Sequence, residues 1–382
     1  MYAFTPTDEQ KALQREIMDF AVAHLSGGEE LRDRSQQFSR EWWAAAGRIG
    51  LPGLAIPEAY GGRGLTPLST LMALEALGYA SRDNGMNFAL SAHLLACVVP
   101  LWLYGSEALK EAYLPRLCNG ELVAANAMTE PSSGSDAFQM QTVAVEEGDA
   151  YRISGAKSFV SNGPVADGVL LYAATDPERG FLGGISAFWL DRSLHNYRPG
   201  APLQKMGLRS CPLSELFFDN MLVDKSFLVG RLGRGAMAFN RSMEWERVCL
   251  GGCHLGNMQR LLEMGIQLVK GQLGSGTPRH ERQAVSYALA EMQAQLESVR
   301  LLAYSAAWKM GEGKSVSREA AMAKLAVSEL YKKISLYVAT LFGGAGQPNG
   351  EVERSHRDAV SSTIYSGTSE MQKNIIAQSM GL

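Results

Sequence analysis

The chain predicts an α+β multidomain fold whose parts follow in the order helical, β, helical, and three observations carry that reading. Apolar residues recur at helical spacing in the first third, as at Leu13, Ile17, Phe20 and Ala21. From about Leu122 the texture changes to short alternating or β-branched segments between turn clusters. From about Ala236 long helical periods return. The boundaries are read at residues 1–121 for an N-terminal helical domain, 122–232 for a central β-domain and 233–382 for a C-terminal bundle. A length of 382 residues agrees with two to three domains at roughly 150 residues each.

Taken in order, Thr7 with Gln10 reads as a capping box opening the first helix. Helical patterns follow through Ser39 to Ile49, Ser69 to Leu77, the apolar stretch around Leu94, and Glu107 to Leu117; Pro57 to Gly64 is a loop. The segments 141–145, 151–153, 168–172 and 186–190 read as strands of a sandwich or barrel. Residues 236–269, 283–310 and 317–341 read as long antiparallel helices, with a last helix starting near Thr368.

Composition excludes several classes. Thirty-six Lys plus Arg against 39 Asp plus Glu leaves a net charge of -3, and a nucleic-acid binder needs a basic surplus on some face. No dense basic run suggests a membrane patch. The longest apolar stretch, Leu94 to Tyr104, is read as too short to span a bilayer. Five cysteines form no CxxC pair and no metal-type spacing. With no leader-like start, they point to reduced thiols and a cytoplasmic location, and no metal is expected.

Four constellations could carry chemistry. Residues 127–136 place Pro131 before the donor-rich run Ser132 to Ser135, a loop able to meet an anion or polar ring; a solvated turn is the more common meaning. Residues 157–163 run an aromatic, a hydroxyl and an amide into Asn162-Gly163, which alone reads as a hairpin turn. Phe239, Met243, Glu246, Leu250 and Cys253 share one helical face, so a carboxylate sits in an apolar stripe. Gly251-Gly252 is read as leaving room for a ligand beside it. Such a carboxylate has a raised pKa and can act as a base on a carbon acid; a buried ion pair with Arg247 or another basic residue weighs equally. Finally, the glycines at 343, 344 and 346 and the turn before Thr368 permit close approach to a helix N-terminus. No GxSxG, HExxH, P-loop or GxGxxG fingerprint is present. His93, His254 and His356 read as isolated core or surface residues.

These segments, in this order, resemble the acyl-CoA dehydrogenase flavoprotein family over essentially the whole chain. The match includes residues 56–62, 128–136, 157–162, 204–209, 342–346 and 365–370. The resemblance implies the acyl-CoA dehydrogenase fold, with a C-terminal four-helix bundle and FAD between the β-domain and the bundle. It places Met128, Thr129, Gly134 and Ser135 at the flavin and its phosphates. Phe159 and Ser161 would lie against the isoalloxazine, Thr368 and Glu370 at the phosphate-ribose side, and Gly344 at the adenosine end of a neighbouring subunit's cofactor. Ser135, Arg247, Ser366 and Gly367 fall on the substrate side. Family members are usually tetramers or dimers and pass electrons to an acceptor.

Many members carry the catalytic base directly after the Tyr of the C-terminal turn, where this chain has Ser366. A minority place it on the first bundle helix before an Arg, which Glu246-Arg247 matches, so Glu246 is the expected base. Two family features are missing: an Arg-x-x-Phe-Gly segment, where Gln272 and Ser275 stand, and a Gln, where Thr340 stands. Residues 81–97 and 243–246 resemble flavoproteins that oxidise acyl groups on carrier proteins in natural-product pathways, such as prolyl-carrier-protein dehydrogenases. The expected activity is therefore α,β-dehydrogenation of a phosphopantetheine thioester. An acyl-CoA dehydrogenase of short or branched-chain type, an oxidase or monooxygenase, and a catalytically silent member are the alternatives.

Overall fold

The computed structural model describes residues 5–135, 140–271, 281–343 and 350–382. The capping box forms as expected: Thr7 accepts from the Gln10 backbone while the Gln10 side chain accepts from the Thr7 N–H. It opens α1 (Asp8–His24), followed by α2 (Glu29–Ser35), α3 (Arg40–Arg48) and α4 (Pro67–Ala80). Side-chain caps start α3 at Ser39 and α4 at Thr66, where Pro67 takes the first turn. Then come α5 (Asn84–His93), a π-turn (Leu94–Val98), α6 (Val99–Tyr104) and α7 (Glu107–Cys118).

Leu94 to Tyr104 is not the whole apolar segment, which corrects the sequence reading. Asn84–Tyr104 runs as 21 residues, long and apolar enough to cross a membrane, and 83% of its most apolar window is buried inside the protein. It serves as a core element here: the Ala124 N–H donates to His93 Nδ1, and Asn162 Nδ2 donates to the Ala89 carbonyl.

The central part contains β1 (Ala124–Ala127), β2 (Val143–Glu147), β3 (Ala150–Ser161), β4 (Gly168–Ala174), a short α8 (Gly180–Gly184), β5 (Ile185–Asp191), β6 (Arg198–Pro199), β7 (Leu213–Asp224) and β8 (Leu228–Val229). One mixed sheet runs in the order β6-β7-β3-β2-β4-β5-β8, with β1 parallel to β4. The pairing of β3 with β7 shifts register between Ile153 and Gly155 and between Lys157 and Val160, so β3 bends twice. In β4, Val169, Leu171 and Ala173 face the sheet's own core, while Leu170 and Tyr172 join the helical core. Burial on both faces explains why β4 and β5 read as continuous apolar runs. Asn162-Gly163 does not close a hairpin: Asn162 takes φ 63, but the following β4 pairs with β1, β2 and β5 rather than β3.

The C-terminal part contains α9 (Gly235–Trp245), a π-turn (Glu246–Leu250), α10 (Gly251–Lys270), α11 (Gln283–Gly311), α12 (Ser317–Phe342), α13 (Glu351–Ser361) and α14 (Ser369–Ser379). Helix α12 packs against α10, α11, α13 and α14. Helices α10 and α4 pack closely through glycines. A Cβ at Gly252 would lie 2.5 Å from the Leu71 carbonyl oxygen, one at Gly256 2.1 Å from that of Glu75, and one at Gly78 2.2 Å from that of Cys253. The pair Gly251-Gly252 therefore makes room for neighbouring helices, Val327 of α12 lying over Gly251, rather than for a ligand.

Candidate active site

The sequence places Glu246 on a regular helix, but the structure puts it at the first position of a π-turn. The extra residue shifts the helical face by part of a turn. The stripe survives because the helix is enclosed: Met243, Glu246, Leu250 and Cys253 are all buried, and Phe239 packs edge-on to Tyr172. No ion pair forms between Glu246 and Arg247. Instead the Ser366 hydroxyl donates to Glu246 Oε2 at 2.9 Å. Burial pushes the Glu246 carboxyl up to about 7, while the Ser366 hydroxyl, Arg247 and Lys324 limit the rise. Glu244, two residues earlier, is mostly buried and pairs with Arg241.

The turn carrying Ser366 is tightly held. Ser366 and Gly367 take φ 55 and 89, and a Cβ at Gly367 would lie 2.6 Å from Gln372 Nε2. Arg247 Nε and Gln372 Nε2 both donate to the Ser366 carbonyl, each at 3.2 Å, and Gln372 Nε2 also donates to the Gly367 carbonyl at 2.8 Å. In a trans peptide the C=O and the next N–H point opposite ways. Fixing the Ser366 carbonyl toward Arg247 and Gln372 therefore aims the Gly367 N–H away from them. The N–H groups of Ser366 and Gly367 bond to no other described residue, leaving two donors able to polarise a carbonyl oxygen.

Behind this turn, Tyr365 bonds His254 Nε2 through its hydroxyl at 2.8 Å and packs on Phe88 of α5 at 4.6 Å. His254 stacks on Tyr331, and burial pushes its pKa down to about 3, so the ring is neutral. His254 was read as isolated; the contacts that tie it to the site come from residues far away in sequence. Lys324 was missed for the same reason. Gly251 faces Val327 and Gly265 faces Val338, so α10 and α12 run parallel and Lys324 stands level with Arg247. Its ammonium is buried without a hydrogen-bond partner among the described residues, and burial pushes its pKa down to about 8.

The β-domain residues gather separately. Met128 and Thr129 follow β1, and their carbonyls accept from Lys157 Nζ at 3.0 Å and the Ser158 N–H at 2.8 Å. Glu130, unnoticed in sequence, is the keystone of this loop. It pairs with buried Lys157 at 2.8 Å and accepts from the N–H groups of Gln141 and Thr142. Burial alone would raise its carboxyl; Lys157 and these donors hold it below its ordinary value. Gly134 and Ser135 are exposed, and no described residue stands where a Cβ of Gly134 would be. Phe159 sits in the second bend of β3 at φ 55 with its ring 63% exposed, and Ser161 is half-buried. A bulky side chain at positive φ is strained, and an aromatic ring held out this way offers a platform for a flat ring. Thr368 caps α14 through the Met371 N–H, with exposed Glu370 in the first turn. Helix α5 joins the two groups, holding the end of β3 through Asn162 and Tyr365 through Phe88. Gly344, Gln272 and Ser275 lie outside the described residues. Thr340 is exposed and, among the described residues, bonds its own helix at the Leu336 carbonyl.

Comparison with known proteins identifies the family. A curated L-prolyl-[peptidyl-carrier protein] dehydrogenase of Pseudomonas fluorescens is 41% identical over 352 residues, covering 92% of each chain. The structure of PigA with FAD and proline matches with a TM-score of 0.97 at 36% identity, covering 100% of both chains. That of the prolyl acyl carrier protein oxidase AnaB matches with a TM-score of 0.96 at 36% identity, covering 99% of this chain and 100% of the other. The N-terminal, middle and C-terminal domain profiles of acyl-CoA dehydrogenases match residues 7–121, 125–221 and 233–381, and the chain belongs to the acyl-CoA dehydrogenase family.

Proposed function

We propose that the protein is an FAD-dependent dehydrogenase of a prolyl or closely related acyl thioester tethered to a carrier protein, with Glu246 as the base. The observation that carries this reading is the buried Glu246 carboxylate, held by Ser366 beside the free N–H groups of Ser366 and Gly367. The prolyl-carrier-protein dehydrogenase of Pseudomonas fluorescens and PigA supply the substrate class. The residues fit the cofactor: exposed Phe159 offers a stacking face, Ser161 a hydroxyl beside it, and the loop from Met128 to Ser135 and the Thr368 cap offer polar groups for the ribityl and phosphate parts.

When bound, FAD supplies the acceptor for the β-hydrogen and its electron pair. The chain's own residues do the rest. The N–H groups of Ser366 and Gly367 draw charge from the thioester carbonyl and acidify the α-carbon. Glu246 takes the α-proton, and a carboxyl near 7 is a base matched to neutral pH. Arg247 and Gln372 keep the turn in register with the carboxylate.

Anaerobic flavin bleaching by a panel of acyl-carrier and acyl-CoA thioesters tests the reading. Bleaching by a prolyl carrier thioester supports it, and a protein that binds no flavin overturns it. The name of the AnaB relative favours a second reading in which oxygen reoxidises the flavin; peroxide formed during turnover supports it. A cytoplasmic homo-oligomer belongs to the same proposal, supported by five free buried thiols and by exposed Tyr287, Leu301 and Leu336 on the bundle helices.

A further inference from the structure

Three segments outside the site converge on one exposed face. Helix α8 presents Leu182, the connection after β8 presents Leu232, and the first turn of α9 presents Met237; these side chains are 72%, 51% and 53% exposed. They are neighbours because Gly233 lies against α8, where a Cβ would stand 2.4 Å from the Gly183 carbonyl oxygen. Phe181 packs edge-on to Phe239 beneath them. The rim is charged. Arg179 pairs with Asp176 at 3.0 Å, Glu178 is exposed in the same turn, and Arg241 pairs with Glu244. Arg231 and Arg234 are exposed and have no carboxylate partner among the described residues.

We propose that this face docks the acidic carrier protein that presents the thioester, an inference that rests on the function proposed above. Exposed apolar side chains rimmed by charge mark interaction sites, and two unpaired guanidinium groups select an acidic partner. The position fits as well. Helix α9 leads from this face to Glu246, and the eleven steps from Gly235 to Glu246 rise about 16 Å. That is a span for an extended pantetheine arm running beside the helix. The carrier's acidic side chains meet Arg231 and Arg234, its apolar contact residues cover Leu182, Leu232 and Met237, and its arm delivers the acyl group to the carboxylate.

The test is flavin reduction by a prolyl-loaded peptidyl carrier protein and, in parallel, by prolyl-pantetheine, which lacks the carrier. The variants are R231E/R234E and Leu232→Asp. For the carrier substrate KM rises by about tenfold or more with kcat retained, and its salt dependence weakens; the constants for prolyl-pantetheine stay unchanged. An unchanged KM for the carrier substrate in both variants overturns the docking face while leaving the function intact. An equal loss with both substrates, or a change in oligomeric state, also overturns it. A wild-type protein that bleaches with no carrier thioester overturns the function, and the docking face with it.

Discussion

The Ser366 hydroxyl donates a 2.9 Å hydrogen bond to Glu246 Oε2, joining two residues that are 120 positions apart. In many members of the family a Glu stands where Ser366 stands here. One point in space is thus reachable from two places in the chain, and this chain approaches it from the π-turn.

Glu246→Gln should abolish turnover, with flavin reduction slowed by about 10²–10⁴-fold while bound FAD is retained. The same variant separates function from stability. Because the folded carboxyl titrates near 7 and an ordinary one near 4.5, the native state binds the proton more tightly than the unfolded chain between those values. Stability therefore falls as pH rises through this window. The full penalty, roughly 3 kcal/mol, applies above it. Glu246→Gln should melt higher than wild type at pH 8, with the gap closing toward pH 4.5.

The base should be movable. E246A/S366E places a carboxylate one bond network away from the original, with the αL backbone already supplied at position 366. Flavin reduction should recover by at least about tenfold over Glu246→Ala, a gain within the range of general-base catalysis. No recovery would show that the turn cannot present a base.

Lys324 opposes the rise of the Glu246 pKa. Lys324→Met should move the acid limb of the kcat/KM profile above about 7. Its effect on stability has the opposite sense. The buried ammonium titrates near 8 rather than 10.5, so the folded state holds its proton less tightly, and the charged form costs stability below pH 8. The variant should melt higher at pH 7 while working less well there.

Gln372 is fully buried and holds two carbonyls of the active turn. Gln372→Leu should cost about 1–3 kcal/mol in urea unfolding. It should lower kcat more than it raises KM, because the N–H donors it aims act on charge that grows in the transition state.

Glu130→Gln leaves buried Lys157 without its counter-ion, at a cost of about 3–5 kcal/mol. It also loosens the loop from Met128 to Ser135. A lower melting temperature should accompany weaker FAD uptake in equilibrium dialysis, while Glu246 continues to titrate near 7 in what flavoprotein remains.

The buried carboxylate and the domain order were legible in the sequence because local periodicity carries both. Glu246 stood out from an apolar stripe even though the helix there is not regular, since burial on every side tolerates a shift of face. What stayed hidden depends on tertiary partners. Gly251-Gly252 looked like ligand space because a missing side chain does not say what approaches it; Leu71 and Val327 do. Glu130 and Lys157 are 27 residues apart, Gln372 acts on backbone, and Lys324 matters through its level on a parallel helix. The apolar length of Asn84–Tyr104 was underestimated because polar Asn87, Ser91 and His93 interrupt the pattern, and all three hydrogen-bond inside the core, Asn87 through its Nδ2.

The two π-turns, Leu94–Val98 and Glu246–Leu250, touch each other. Each holds one residue more than an α-helix of the same course would need. A single-codon deletion inside either would be healed by the helix, which simply returns to its ordinary pitch. The protein would still fold with both flanking helices on their old course, but the side chains inside the turn would point in new directions. The pairing of Glu246 with Ser366 is thus exposed to a silent kind of damage, in which a codon lost within Glu246–Leu250 yields a well-folded protein whose carboxylate no longer meets Ser366.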